Sequence, residues 1–166
     1  MLKLLEDFFA RAHGRKIVAA EMLRLGMRVD PNGRIYFGSI ETPPAKIARA
    51  LGIDRRVVIE TAKDIAEDAR LLQIFSRLQP RAFIADAAKS LGCDAIIIRA
   101  EAKKKDIVYS VTKVLSQERV LIRQIVTDDP YIYPDPVLTI IIDGHLRPQV
   151  IKKLRELSFA DSITIK

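Results

Sequence analysis

Arg55, Arg56 and Lys63 sit on the side of a candidate helix opposite Val58, Ala62 and Ile65, where cationic side chains can reach phosphate oxygens and base edges of a duplex. Lys46 and Arg49 lie one element upstream and add candidate phosphate contacts. Such contacts require a helix held clear of the body of the protein, and the flanking residues are of the types that do this. Ile47, Ala48 and Leu51 supply an apolar stripe for a first helix, and Gly52 ends it where a left-handed residue is cheapest. Ile53 plugs the space between two helices, and Asp54 is an N-cap for a second helix beginning Arg55-Arg56-Val57-Val58. Pro44 to Lys63 thus reads as a helix-turn-helix. The same glycine and apolar spacing also build a tightly turned αα-hairpin. Thr61 falls where an apolar core residue is usual, and Glu60 brings negative charge toward phosphate.

Other reactive side chains are sparse. Cys93 is the one cysteine, fits a reducing compartment, and stands beside the apolar run Ala95-Ile96-Ile97-Ile98 as packing. His13 and His145 are isolated in sequence, and no Cys/His spacing suits a metal. Asp128-Asp129 lie in a proline-rich loop without a nearby base, nucleophile or phosphate-cradling glycines, and read as turn formers. The expectation is a protein that is not an enzyme and has no metal or cofactor.

The 166 residues carry a net charge of +7, spread unevenly. Residues 1–92 hold 16 Lys+Arg against 11 Asp+Glu, and residues 93–166 hold 12 against 10, so most of the basic excess accompanies the helix-turn-helix. No apolar run approaches the roughly 18 to 20 residues that span a bilayer, and the acids Glu6 and Asp7 fall where a signal peptide would be apolar. A cytoplasmic, soluble chain with no membrane contact is expected.

The expected fold class is α+β in two domains, 1–92 and 93–166. The first begins with a helix over Leu2 to Ala12, with Leu5, Phe8, Phe9 and Ala12 on one face, and a second from about Lys16 to Leu25. Met27-Arg28-Val29 and Arg34-Ile35-Tyr36-Phe37 flank the turn Asp30-Pro31-Asn32-Gly33 as a short hairpin, able to serve as a wing or to cap the core. Thr42 is the expected N-cap of the helix that follows. The pattern stays helical beyond the second helix of the motif through Leu78, and Ala82 to Leu91 reads as a short amphipathic helix ending at the boundary residue Gly92. The second domain runs strand (Ala95 to Ala100), helix (from Asp106, with Ile107, Val111, Val114 and Leu115 inward), strand (Val120 to Thr127), strand (Val137 to Asp143), helix (from Pro148) and strand (Ser162 to Lys166). This is the ferredoxin-like βαββαβ order, which places both helices on one face of an antiparallel sheet.

Val111-Thr112-Lys113-Val114-Leu115 followed by Leu121-Ile122-Arg123-Gln124-Ile125-Val126 resembles the first helix and second strand of an ACT domain, a small amino-acid-sensing module. Joined to Lys46 through Val58, and including the Gly33-Arg34-Ile35-Tyr36 hairpin, the chain is similar over essentially its full length to the archaeal predicted regulators of amino-acid metabolism. The resemblance implies a ligand between two subunits near the loop from first strand into first helix, with Lys104, Lys105, Asp106, Ile107, Arg123 and Gln124 as candidate contacts. It also implies an amino-acid effector in place of a cofactor. The family's loop commonly carries a glycine where this chain has Asp106. A homodimer, or higher even oligomer, through the sheet is expected because Ile140-Ile141-Ile142, Ile122 and Ile125 offer more apolar surface than two short helices cover.

These readings converge on a ligand-responsive transcriptional regulator that binds DNA through the helix-turn-helix. The alternative is a regulatory or adaptor subunit that does not bind DNA and docks on an amino-acid biosynthetic enzyme through the ACT-like domain.

Overall fold

The computed structural model, which describes residues 2–101, 105–130, 132–133 and 135–166, divides the chain into two units, Met1–Ala82 and Phe83–Lys166. The class is α+β, with two antiparallel sheets.

In the first unit α1 (Leu2–Phe8) and α2 (His13–Arg24) lead into three short strands, β1 (Arg28–Val29), β2 (Ile35–Phe37) and β3 (Ile40–Glu41). The Asp30 turn is closed by its own carboxylate, which accepts from the backbone N–H groups of Asn32 and Arg34 at 2.9 Å each. A further strand, β3, extends the expected hairpin and pairs with β2 across a tight turn at Gly38-Ser39. Val29 and Ile35 are buried, whereas Phe37 and Ile40 are exposed, so the meander both caps the core and presents an apolar tip.

Next come α3 (Pro44–Leu51), α4 (Arg55–Glu67) and α5 (Ala69–Phe75). Pro43, not the expected Thr42, occupies the N-cap of α3, and no side chain caps it. Thr42 instead donates its backbone N–H to the Ile35 carbonyl at 2.7 Å. Gly52 ends α3 in the left-handed region (φ 66°, ψ 31°), with its own N–H directed to Arg49 O and that of Ile53 to Ala48 O at 3.0 Å. Asp54 then accepts from Arg56 N at 2.7 Å as the N-cap of α4. The helical run expected to continue past α4 is broken at Asp68, which is extended (φ −90°, ψ 118°) and caps α5 by accepting from Arg70 N and Leu71 N. One carboxylate placed to cap a new helix outweighs continued periodicity.

The second unit begins at Phe83, ahead of the expected boundary at Gly92, and residues 82–91 do not form the expected α-helix. They make two 3₁₀ turns, Ala85–Ala87 and Lys89–Leu91, and Ala85 and Ala88 pack on Cys93, Ala95 and Ile141. The unit continues as β4 (Cys93–Ala100), α6 (Ile107–Gln117), β5 (Ile122–Thr127), β6 (Val137–Asp143), α7 (Pro148–Arg155) and β7 (Ala160–Ile165), with sheet order β5-β6-β4-β7. Alternation along the strands sends Ile96, Ile98, Leu138, Ile140 and Ile142 to one face, where Val111 and Leu115 of α6 and Val150 and Leu154 of α7 cover them. Ile141 points to the opposite face, beneath the 3₁₀ turns. The isoleucine run expected to need a partner is therefore buried within the chain itself. The apolar side chains left exposed on this sheet's β5 side are Leu121 (66 %) and Ile125 (42 %).

Glu118 ties the end of α6 to α7. Its carboxylate accepts from Lys153 Nζ at 2.6 Å and Arg147 at 3.2 Å, while its carbonyl accepts from Arg147 at 2.7 Å. Lys153 above all holds the Glu118 carboxyl below its ordinary range. A lowered folded-state pKa gives stability that is present above the unfolded pKa and lost as pH falls through the folded one. Glu118→Gln should therefore melt below wild type at neutral pH, and the gap should close as pH falls below about 4; a constant gap would contradict this assignment. At Gly52 an added Cβ meets nothing within 4 Å, so the cost of Gly52→Ala is the left-handed backbone alone. Urea unfolding should show a loss of about 1 kcal/mol for Gly52→Ala and less for Gly52→Asn.

Candidate functional site

Packing decides which side of α4 is available. The helix lies against α2, α3, α5 and β1 and buries Val58, Thr61, Ala62 and Ile65. Arg55, Arg56 and Lys63 are exposed, as are Lys46 and Arg49 on α3. None of these five takes part in an ion pair among the described residues. The α3–α4 pair thus brings the sequence-derived cationic set into one short segment of chain with its charges uncommitted.

Thr61 is no defect in the buried face, because its hydroxyl donates to the Val57 carbonyl one turn back at 2.7 Å. Glu60 is not free to repel phosphate at full charge. Arg15 at the start of α2 reaches Glu60 Oε2 at 2.6 Å and Asp64 Oδ2 at 2.8 Å, one guanidinium spanning one turn of α4. The two carboxylates, Asp64 foremost, raise the Arg15 pKa further above its ordinary value. A Cβ at Gly14 would stand 3.3 Å from Val57 Cγ1, so the glycine allows the start of α2 this close to α4. Sequence reasoning overlooked Arg15, whose partners lie on a helix distant in sequence.

A second feature is a cavity of about 460 Å³ in the Phe83–Lys166 unit. Ile98, Ile107, Val137, Leu138, Pro130 and Pro136 give it mostly apolar walls. Asp106, Tyr109, Thr127 and Asp128 supply polar groups. The first turn of α6 opens on it, with Ile107, Val108 and Tyr109 in the lining, so backbone N–H groups without helical partners are available there. Asp106 stands at the N-cap of α6 but makes no side-chain cap bond, and its backbone is left-handed (φ 66°, ψ 11°). The conformation suited to glycine is kept while the residue is an aspartate.

Of the six expected ligand contacts, Asp106 and Ile107 line this cavity and Lys105 is exposed beside them. Lys104 lies outside the described residues, as does Lys103. Arg123 and Gln124 belong elsewhere. Arg123 donates to Cys93 Sγ at 2.9 Å and pairs with Asp143 at 3.9 Å, and Gln124 accepts from Ile84 N at 3.4 Å. The reason is topological. β4 and β5 both run antiparallel to β6 between them, so the carboxyl end of β4 is level with the carboxyl end of β5, at Thr127, and not with its start. Thr127 and Asp128 could have been found from strand direction alone.

His145 is not isolated. Its Nδ1 lies 2.8 Å from Asp94 Oδ1, while Asp94 Oδ2 accepts from Leu146 N, which fastens the loop before α7. Cys93 is fully buried. Among the described residues no group of three His, Cys, Asp or Glu could hold a metal ion, and no helix is long and apolar enough to cross a membrane.

No family model and no curated protein matches this chain. A solved structure titled "Crystal structure of PH0061" aligns with 75% of this chain and 78% of its own, at 12% identity and a TM-score of 0.28. A likeness of that degree has no bearing on the site.

The left-handed Asp106 can be tested directly. Asp106→Gly should leave the urea midpoint unchanged or raise it, whereas the β-branched Asp106→Val should destabilise by about 1–2 kcal/mol. Equal effects of the two substitutions would contradict a positive φ at this position.

Proposed function

We propose that the protein is a ligand-responsive DNA-binding regulator in which α3 and α4 form a helix-turn-helix and the Phe83–Lys166 unit is an ACT-like sensor of amino acids. The observation that carries this reading is the uncommitted cationic set Lys46, Arg49, Arg55, Arg56 and Lys63 on a helix pair whose turn is closed by Gly52 and Asp54. Arg55 and Arg56 occupy the first turn of α4, the end of a recognition helix that reaches base edges. The βαββαβ order, and a largely apolar cavity at the amino end of α6, support the sensor half: free N–H groups there suit the carboxylate of an amino acid.

In this reading two copies associate along the sheet of the second unit, where β5 is an edge strand with Ile125, and Leu121 just before it, exposed. Association fixes the separation of two α4 helices, which must match half-sites about 34 Å apart. An amino acid acts by binding one dimer geometry better than another. The protein performs no catalysis.

A second reading, a regulatory subunit docked on a biosynthetic enzyme, draws on Glu60, Asp64 and Glu67, which balance the formal charge of Arg55, Arg56 and Lys63 on α4. Arg15 pairs with Glu60 and Asp64, two of those three carboxylates, so DNA binding is favoured.

A gel-shift series on duplexes from the protein's own upstream region separates the two. We expect sequence-selective binding that weakens at least about a hundredfold between about 50 and 200 mM salt, falls on Arg55→Ala and Arg56→Ala, and changes when the cognate amino acid is added. Folded protein that shows no salt-sensitive, selective binding, and that copurifies with an enzyme whose activity it alters, would establish the adaptor reading instead.

A further inference from the structure

We propose that Glu60 is a base-reading residue, an acceptor for the exocyclic amino group of a cytosine in the major groove, with Arg15 as its positioning residue. The inference rests on the DNA-binding reading and adds to it what one position of the site must be.

Arg56, Glu60 and Lys63 recur at i, i+4 and i+7 and are all exposed, so they form one strip along α4 opposite Val58, Ala62 and Ile65. A carboxylate in the middle of that strip is a poor neighbour for phosphates. It suits a base edge that presents only a donor, and in the major groove cytosine is that base, through its N4 amino group. Arg56 one turn away is a donor suited to the O6 and N7 acceptors of guanine. Four residues of helix advance about 6 Å, close to two base-pair steps of roughly 3.4 Å each, so the two side chains can address positions two base pairs apart in one site.

Arg15 makes the acid usable. It binds Glu60 through Oε2, bridges on to Asp64, and still leaves the Glu60 side chain half exposed (51 %). The fork restricts the Glu60 rotamers and lowers its repulsion toward the backbone phosphates without neutralising the acceptor. Gly14 permits this approach, since the close space beside Val57 lies at the position preceding Arg15.

The test is selection of bound duplexes from a randomised library by the full chain, wild type against Glu60→Gln. Glutamine keeps the length of the side chain and an oxygen for Arg15, but it pairs with adenine. Wild type should enrich cytosine at one position of each half-site. Glu60→Gln should lose that preference by about tenfold and gain adenine at the same position, the rest of the consensus unchanged. Arg15→Lys should retain the cytosine preference and Arg15→Met should blur it. Glu60→Asp, which keeps the charge on a shorter side chain, serves as the second variant and should weaken the preference without replacing it. A consensus identical between wild type and Glu60→Gln overturns the Glu60 assignment while DNA binding stands. Failure of the wild type to enrich any sequence sinks both.

Discussion

Burial of one face of α4 governs what the first unit can do. Val58, Thr61, Ala62 and Ile65 are inside, and fully burying a side chain such as Ile65 contributes about 1.5–3 kcal/mol. Rotating the helix to present another face would forfeit several such terms and would leave the Thr61 hydroxyl in a new environment. With that face fixed, the outward strip is fixed as well. The Gly52 turn and the Asp54 cap set where the helix starts, and the Arg15 fork bonds its middle to α2. The cationic side chains are thus held on a rigid element without contributing to its packing, the condition under which a surface can serve recognition.

The second unit follows from a different constraint, the direction of its strands. A helix-linked pair of parallel strands with a third between them brings two carboxyl ends to the same end of the sheet, and the first turn of α6 begins at that end. The cavity arises there because the β5–β6 connection passes beside the start of α6, with Pro130 and Pro136 in its walls. Glu118 secures the other end of α6. The helix is held at its carboxyl end and open at its amino end.

Much of this was legible in the residues. Helical and alternating periodicities located most elements, and strand β6 falls on the expected Val137 to Asp143. The Gly52 and Asp54 signals were local and chemical, so they survived into three dimensions. What was hidden depended on neighbours distant in sequence. The 3₁₀ turns of residues 85–91 adapt to the sheet face carrying Cys93, Ala95 and Ile141, which periodicity does not report. Asp68 falls within the run whose pattern stays helical, yet its backbone is extended and its carboxylate caps α5. Arg123 and Gln124 were assigned to the loop site by resemblance, and strand direction carries them to the far end of β5. The pairing of Arg15 with Glu60 and Asp64 had no sequence signature at all.

The central claim, that the outer strip of α4 meets a duplex, is tested most directly by amide chemical shifts of isotopically labelled protein titrated with its selected DNA. The account requires saturable shifts concentrated on Arg55 through Lys63 and on the exposed residues of α3, with those of α7 unmoved. Shifts confined to the second unit, or scattered evenly over the chain's basic residues, would contradict it.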